Sequence, residues 1–240
     1  MSNLPRADIA DLPDEERHVA EALIAALGDD LAALAWQGSW ARGEANEESD
    51  HDLFVVMRRL DSELLGKLAA AFSGKQARWS TYIKTEEELR NYPAHGRCQF
   101  HYGMVLVYGD FEPPPLEREN FLADIRYFAT EIAHDARYRV IHEAGPEEAG
   151  DDPGRHGRIL YYRAKMALLA MKSRELLHGR DYPETREALR ERTTDEVELA
   201  LIDLVDLWPE FKPLYEADFV PMALLLDRFV RKLVSELPAE

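Results

Sequence analysis

The chain has 240 residues, with 29 basic against 46 acidic side chains and a formal net charge of −17. Such a surface repels nucleic acid, which needs a basic footprint, so nucleic acid is not the expected partner. No run approaches the ~18 apolar residues needed to span a bilayer, MSNLPRADIADLPDEER lacks a signal-peptide core, and Cys98 is the sole cysteine, so a cytoplasmic protein without an intrachain disulfide is expected.

Residues 12–28 read as an amphipathic helix: Pro13 and the acids Asp14, Glu15 and Glu16 suit its first turn, and Gly28 its end. Leu31 to Gln37 reads as a strand running into Gly38, Ser39 to Glu47 as a short helix, and Asp52 to Met57 as a second strand. Residues 61–73 return to helical period. Ala77 to Ile83 is a third strand, Thr85 to Tyr92 a helix capped by Thr85 with Glu88 three residues on, and Met104 to Tyr108 a fourth strand. Pro113, Pro114 and Pro115 forbid helix and mark a change of character. Beyond them the pattern is helical, over 116–136, 155–179, 183–192, 195–207 and 221–237, with an exposed loop at 143–157. The reading is therefore α+β: a small mixed β-sheet with packed helices over 1–112, then an all-α helical domain over 113–240.

The chemistry gathers in WQGSWARGEANEESDHDLFVVM, residues 36–57. Asp50 and Asp52 are two apart, so on a strand they share a face and can together hold one or two divalent cations. Gly38 lets backbone approach a ligand closely, and Ser39 adds a hydroxyl and an N–H at a helix start, where phosphate binds well. Carboxylates opposite a phosphate-binding turn are what phosphoryl or nucleotidyl transfer needs. His51 points to the opposite face and is not read as a ligand.

Gly38-Ser39, a ten-residue spacer, then Asp50-His51-Asp52-Leu53 resembles the signature of the DNA polymerase β-like nucleotidyltransferase superfamily. Trp40-Ala41-Arg42-Gly43 and Ser49 are similar to its bacterial branch of aminoglycoside adenylyltransferases and minimal nucleotidyltransferases. Tyr161 to Arg180 resembles the helical domain that accompanies this fold. The resemblance implies Asp50 and Asp52 as catalytic metal ligands for Mg²⁺ (or Mn²⁺). Gly38, Ser39, Arg42 and Lys165 become nucleotide-binding residues, with ATP or another NTP as substrate. The implied acceptor is a hydroxyl of a small molecule, or of a protein; an acidic surface suits a cationic acceptor. The oligomeric state stays open, with a homodimer among the alternatives. The resemblance also implies a third carboxylate on the neighbouring strand. By phase it falls near Ser80, where the sequence has no acid. That departure motivates the alternative of a non-catalytic nucleotide-binding or antitoxin-like module.

Three further features have plain readings beside sharper ones. Arg42 reaches a phosphate or pairs with Glu44 or Glu47. His95, Cys98 and His101 share metal-ligand spacing but lack a second cluster, and read as a loop. Arg137 and His142 resemble the Arg-x4-His signature of helical ribonuclease toxins, although Val140-Ile141 before Gly145-Pro146 points to a helix end.

Overall fold

The computed structural model describes residues 4–45, 49–74, 79–144, 152 and 154–238. The chain forms two compact units, Met1–Leu116 and Glu117–Glu240.

The first unit is built on a four-stranded mixed sheet. Its strands are β1 (Leu31–Gln37), β2 (His51–Met57), β3 (Trp79–Thr85) and β4 (Met104–Gly109), in the order β3-β2-β1-β4. β1 runs antiparallel to both β2 and β4, while β2 and β3 are parallel. Helix α1 (Asp14–Leu27) precedes β1, α2 (Gly38–Ala41) follows it at once, α3 (Ser62–Ala71) links β2 to β3, and α4 (Glu86–Arg90) follows β3. The near-continuous apolar runs of β1 and β2 are explained by cover on both faces. Leu53, Val55 and Met57 pack with Val19 and Leu23 of α1 and Leu64 and Leu68 of α3. Phe54 and Val56 alternate to the other face, where Leu89, Phe100, Leu106 and Phe111 meet them. The ladder is irregular between Leu31 and Ala33, so Ala32 and Ala33 enter the same core although adjacent in sequence.

The second unit is helical among the described residues: α5 (Arg118–His142), α6 (Arg155–Leu177), α7 (Arg186–Glu191), α8 (Glu196–Asp206), α9 (Trp208–Ala217) and α10 (Val220–Ser235). Its core joins Ile125 and Ile132 of α5, Leu160 and Met171 of α6, Leu201 of α8, Trp208 of α9 and Phe229 of α10. Buried ion pairs stitch the helices together, including Arg174 with Glu198 at 2.7 Å and Lys232 with Glu198 at 2.8 Å. No helix among the described residues is long and apolar enough to cross a membrane.

Several elements differ from the sequence reading. The helix expected over 39–47 is a single turn, Gly38–Ala41, because Gly43 at φ 69° stops it and Glu44 N donates to Ser39 O at 2.8 Å; Glu47 lies outside the described residues. The expected starts of β3 at Ala77 and Arg78, and most of the 143–157 loop, lie outside them as well. The first helix of the second unit continues to His142 instead of ending at 136, since the β-formers Tyr138, Val140 and Ile141 are carried by the packed helix despite their propensity. Helix α9 was not anticipated. Its Pro209 sits in the first turn, where no N–H is missed, and Pro213 forfeits one helical bond.

Candidate active site

Asp52 is the second residue of β2. The ladders set it opposite Gln37 of β1 and Ser80 of β3, and Gln37 is itself opposite Met104 of β4. Residues opposite one another share a sheet face. A row Ser80–Asp52–Gln37–Met104 therefore crosses the sheet on the side of Phe54 and Val56. Asp50 lies in the approach to β2, two residues earlier.

Gly38 directly follows Gln37 at φ 77°. A Cβ built on it would stand 2.6 Å from Asp52 Cγ and 2.9 Å from Asp52 Cβ. The Asp52 carboxylate thus occupies the space that a side chain at 38 would need, and only glycine permits both the backbone and the approach. Behind Gly38, Ser39 O accepts from Arg42 N at 3.3 Å and from Glu44 N at 2.8 Å, closing the turn. Arg42 Nε pairs with Glu44 Oε2 at 2.9 Å, and its guanidinium passes the open side of Gly103, where a Cβ would lie 3.5 Å from Nη1. Of the two readings for Arg42, the structure shows the pairing with Glu44. Lys165 belongs to the helical unit, its ammonium 4.8 Å and 5.5 Å from the ring centroids of Tyr161 and Tyr162. Lys172, one stripe along, is buried and donates to Glu184 O at 2.6 Å.

Ser80 is exposed, and the register makes the position without an acid the one beside Asp52. Tyr82, next along the same face, hydrogen-bonds Tyr92 at 2.5 Å between hydroxyls. Burial and the Tyr92 hydroxyl push the Tyr82 phenol well above its ordinary range, so it is held neutral.

The reverse of β2 carries residues to which the sequence reading gave no role at the site. His51 stacks between Trp40 of α2, with ring centroids 4.9 Å apart, and Trp79 of β3, at 5.2 Å. Its Nδ1 meets Glu16 Oε1 in a short contact. Glu16 is 3% exposed, and its second oxygen is buried without a hydrogen-bond partner among the described residues. The neighbouring Glu15 accepts from Trp79 Nε1 at 3.3 Å. The available signal was chemical: an imidazole on the covered face of a strand needs a partner. Nothing local named one, because Glu16 lies 35 residues away.

The His95–His101 stretch serves as scaffold. Cys98 is buried, His101 Nε2 lies 2.7 Å from Pro114 O, and Arg97 donates to Tyr92 O, Pro93 O and Pro115 O at 2.7–3.0 Å. Among the described residues no group of three or more His, Cys, Asp or Glu is arranged to hold a metal ion. Asp50 and Asp52 nonetheless offer the hard oxygen donors that Mg²⁺ takes, which commonly uses only one or two protein carboxylates.

Residues 20–99 match the family model for the nucleotidyltransferase domain. This chain carries a nucleotidyltransferase domain. That domain contains Gly38, Ser39, Asp50, Asp52 and Ser80. A solved structure of spectinomycin adenyltransferase AAD(9) from Enterococcus faecialis, with ATP and spectinomycin, is similar over 92% of this chain and 98% of that one, with a TM-score of 0.52 and 13% identity. At that identity the likeness speaks for the fold, a mixed sheet with helices followed by an all-helical region. No curated protein matches by sequence.

Proposed function

We propose that the chain is a metal-dependent nucleotidyltransferase that moves a nucleoside monophosphate, AMP from ATP, to a hydroxyl of a small molecule or protein. The observation that carries this reading is the contact geometry of Gly38 with Asp52 inside a nucleotidyltransferase domain. Asp50 and Asp52 would hold Mg²⁺ or Mn²⁺, which when bound supplies neutralisation of phosphate charge. Gly38 and Ser39 take the β- and γ-phosphates on the backbone and hydroxyl of the turn. Arg42, released from Glu44, adds positive charge. The acceptor hydroxyl oxygen bonds to the α-phosphorus as the bond to pyrophosphate breaks, and its proton passes to water or to the departing pyrophosphate. Ser80 stands beside Asp52 and takes up no proton at neutral pH, so the chain supplies no base from that position of β3. The helical unit is the proposed acceptor-binding domain, and a small-molecule acceptor is supported by the spectinomycin named with the AAD(9) structure. The cytoplasm, where ATP is supplied, is the proposed compartment.

Titrating Mg²⁺ and ATP calorimetrically into wild type and the Asp50→Ala/Asp52→Ala variant tests the assignment. Binding lost in the variant is expected, and equal affinity in both would defeat it. A second reading rests on Ser80 alone: a module that binds nucleotide without turnover. It predicts no pyrophosphate across a broad acceptor screen. Pyrophosphate released by wild type and abolished in Asp52→Ala rejects it.

A further inference from the structure

We propose that Glu16 and His51 are positioning residues that aim the Asp50 and Asp52 carboxylates from behind the sheet, an inference that rests on the nucleotidyltransferase reading. The stack Trp40–His51–Trp79 takes one ring from each of the three segments that carry the candidate site. Trp40 lies in the turn of Gly38 and Ser39, His51 between the two aspartates, and Trp79 directly before Ser80. The stack thus ties the three segments together on the face opposite the chemistry, beside the ladder that already pairs β2 with β3. Stacking alone fixes the ring plane but leaves the imidazole able to turn over by ~180° about its Cβ–Cγ bond. The bond from Glu16 to Nδ1 removes that freedom, and Glu15 does the same for the Trp79 indole. The first turn of α1 therefore orients two of the three rings.

The arrangement is a poor way to gain stability. A buried carboxylate with one unpartnered oxygen is unfavourable, and a buried pair of this kind is often matched or bettered by apolar residues of similar size. What the polar pair adds is orientation. Partners that hydrogen-bond a metal ligand commonly govern affinity for the ion, and Glu16 and His51 would act one step further out. Here the link is the backbone: a ring anchored by Glu16, Trp40 and Trp79 fixes the Cα–Cβ direction at 51, and with it the backbone from which the side chains at 50 and 52 project.

The test uses the full chain and Mn²⁺–ATP, followed by the electron paramagnetic resonance signal of unbound Mn²⁺, with thermal midpoints measured in parallel. Glu16→Ala is expected to weaken Mn²⁺–ATP binding about 10-fold or more, and Glu16→Gln, which keeps an acceptor for the imidazole, to restore most of it. The decisive variant is Glu16→Leu/His51→Phe. It keeps the stack and the packing, so its midpoint should equal or exceed that of wild type while its binding stays about 10-fold weaker. Wild-type binding in that variant, or equal losses in Glu16→Ala and Glu16→Gln, overturns the proposal. Asp52→Ala separates the two readings. If it binds Mn²⁺–ATP as wild type does, the nucleotidyltransferase assignment falls. If it loses binding while the double variant retains it, only the positioning role falls.

Discussion

Replacing Gly38 by alanine tests the closeness of turn and strand directly. Two costs are expected. Forcing an L-residue to φ 77° costs about 1–2 kcal/mol. The new methyl also overlaps Asp52, 2.6 Å from Cγ and 2.9 Å from Cβ, and driving Asp52 off its rotamer adds about 0.5–1.5 kcal/mol. The total is about 1.5–3.5 kcal/mol. Gly43 supplies the control, because its φ is 69° and nothing lies within 4 Å of a Cβ there. Gly43→Ala should show only the backbone cost, and the gain from a stiffer unfolded chain is common to both variants and cancels. Urea unfolding followed by tryptophan fluorescence reads the first unit through Trp36, Trp40 and Trp79. Repeating the pair in an Asp52→Ala background closes a double-mutant cycle, and removing Asp52 Cγ should relieve most of the excess at Gly38. If Gly38→Ala is no less stable than Gly43→Ala, or the excess survives Asp52→Ala, the carboxylate does not occupy that space.

Thr85→Ala removes one arm of the Thr85–Glu88 capping box and should lower the stability of the first unit by about 1 kcal/mol in the same assay. In the second unit, burial works to raise the Glu198 carboxyl, but bonds from Arg174 and Lys232 outweigh it and hold the group below its ordinary 4.5. Its contribution is therefore complete above that value and is lost as pH falls through the lower folded one. Urea midpoints taken from about pH 7 to about pH 3 should drop at the acid end, and Glu198→Gln should flatten that drop while lowering neutral-pH stability by about 3 kcal/mol. Ser80→Asp places a carboxylate beside Asp52. It should tighten Mn²⁺ binding in a paramagnetic titration and raise pyrophosphate release; unchanged affinity would show that the two side chains do not converge on one ion.

Unbroken apolar runs were enough to place β1, β2 and β4, because strands covered on both faces must be apolar throughout. The phase of Ala77 to Ile83 put Ser80 where the parallel register has it, opposite Asp52. Local rules failed where tertiary packing decides. Prolines at 209 and 213 hid a helix that Trp208 anchors in the core, and β-formers near 140 obscured the end of another. At the site, the Gly-Ser turn and the paired aspartates were legible because their spacing is local. The pairing of Glu16 with His51 was not, since a first-turn acid satisfies the helix dipole rule by itself and so raised no question about a second role.

Ser80 is exposed on β3, which has a single neighbour in the sheet order among the described residues. Exchange of its side chain leaves both cores untouched while changing what stands next to Asp52. Reactivity and foldability are thus uncoupled at this one place: a proton acceptor could be installed or withdrawn there by altering a single codon, with the scaffold indifferent to the choice.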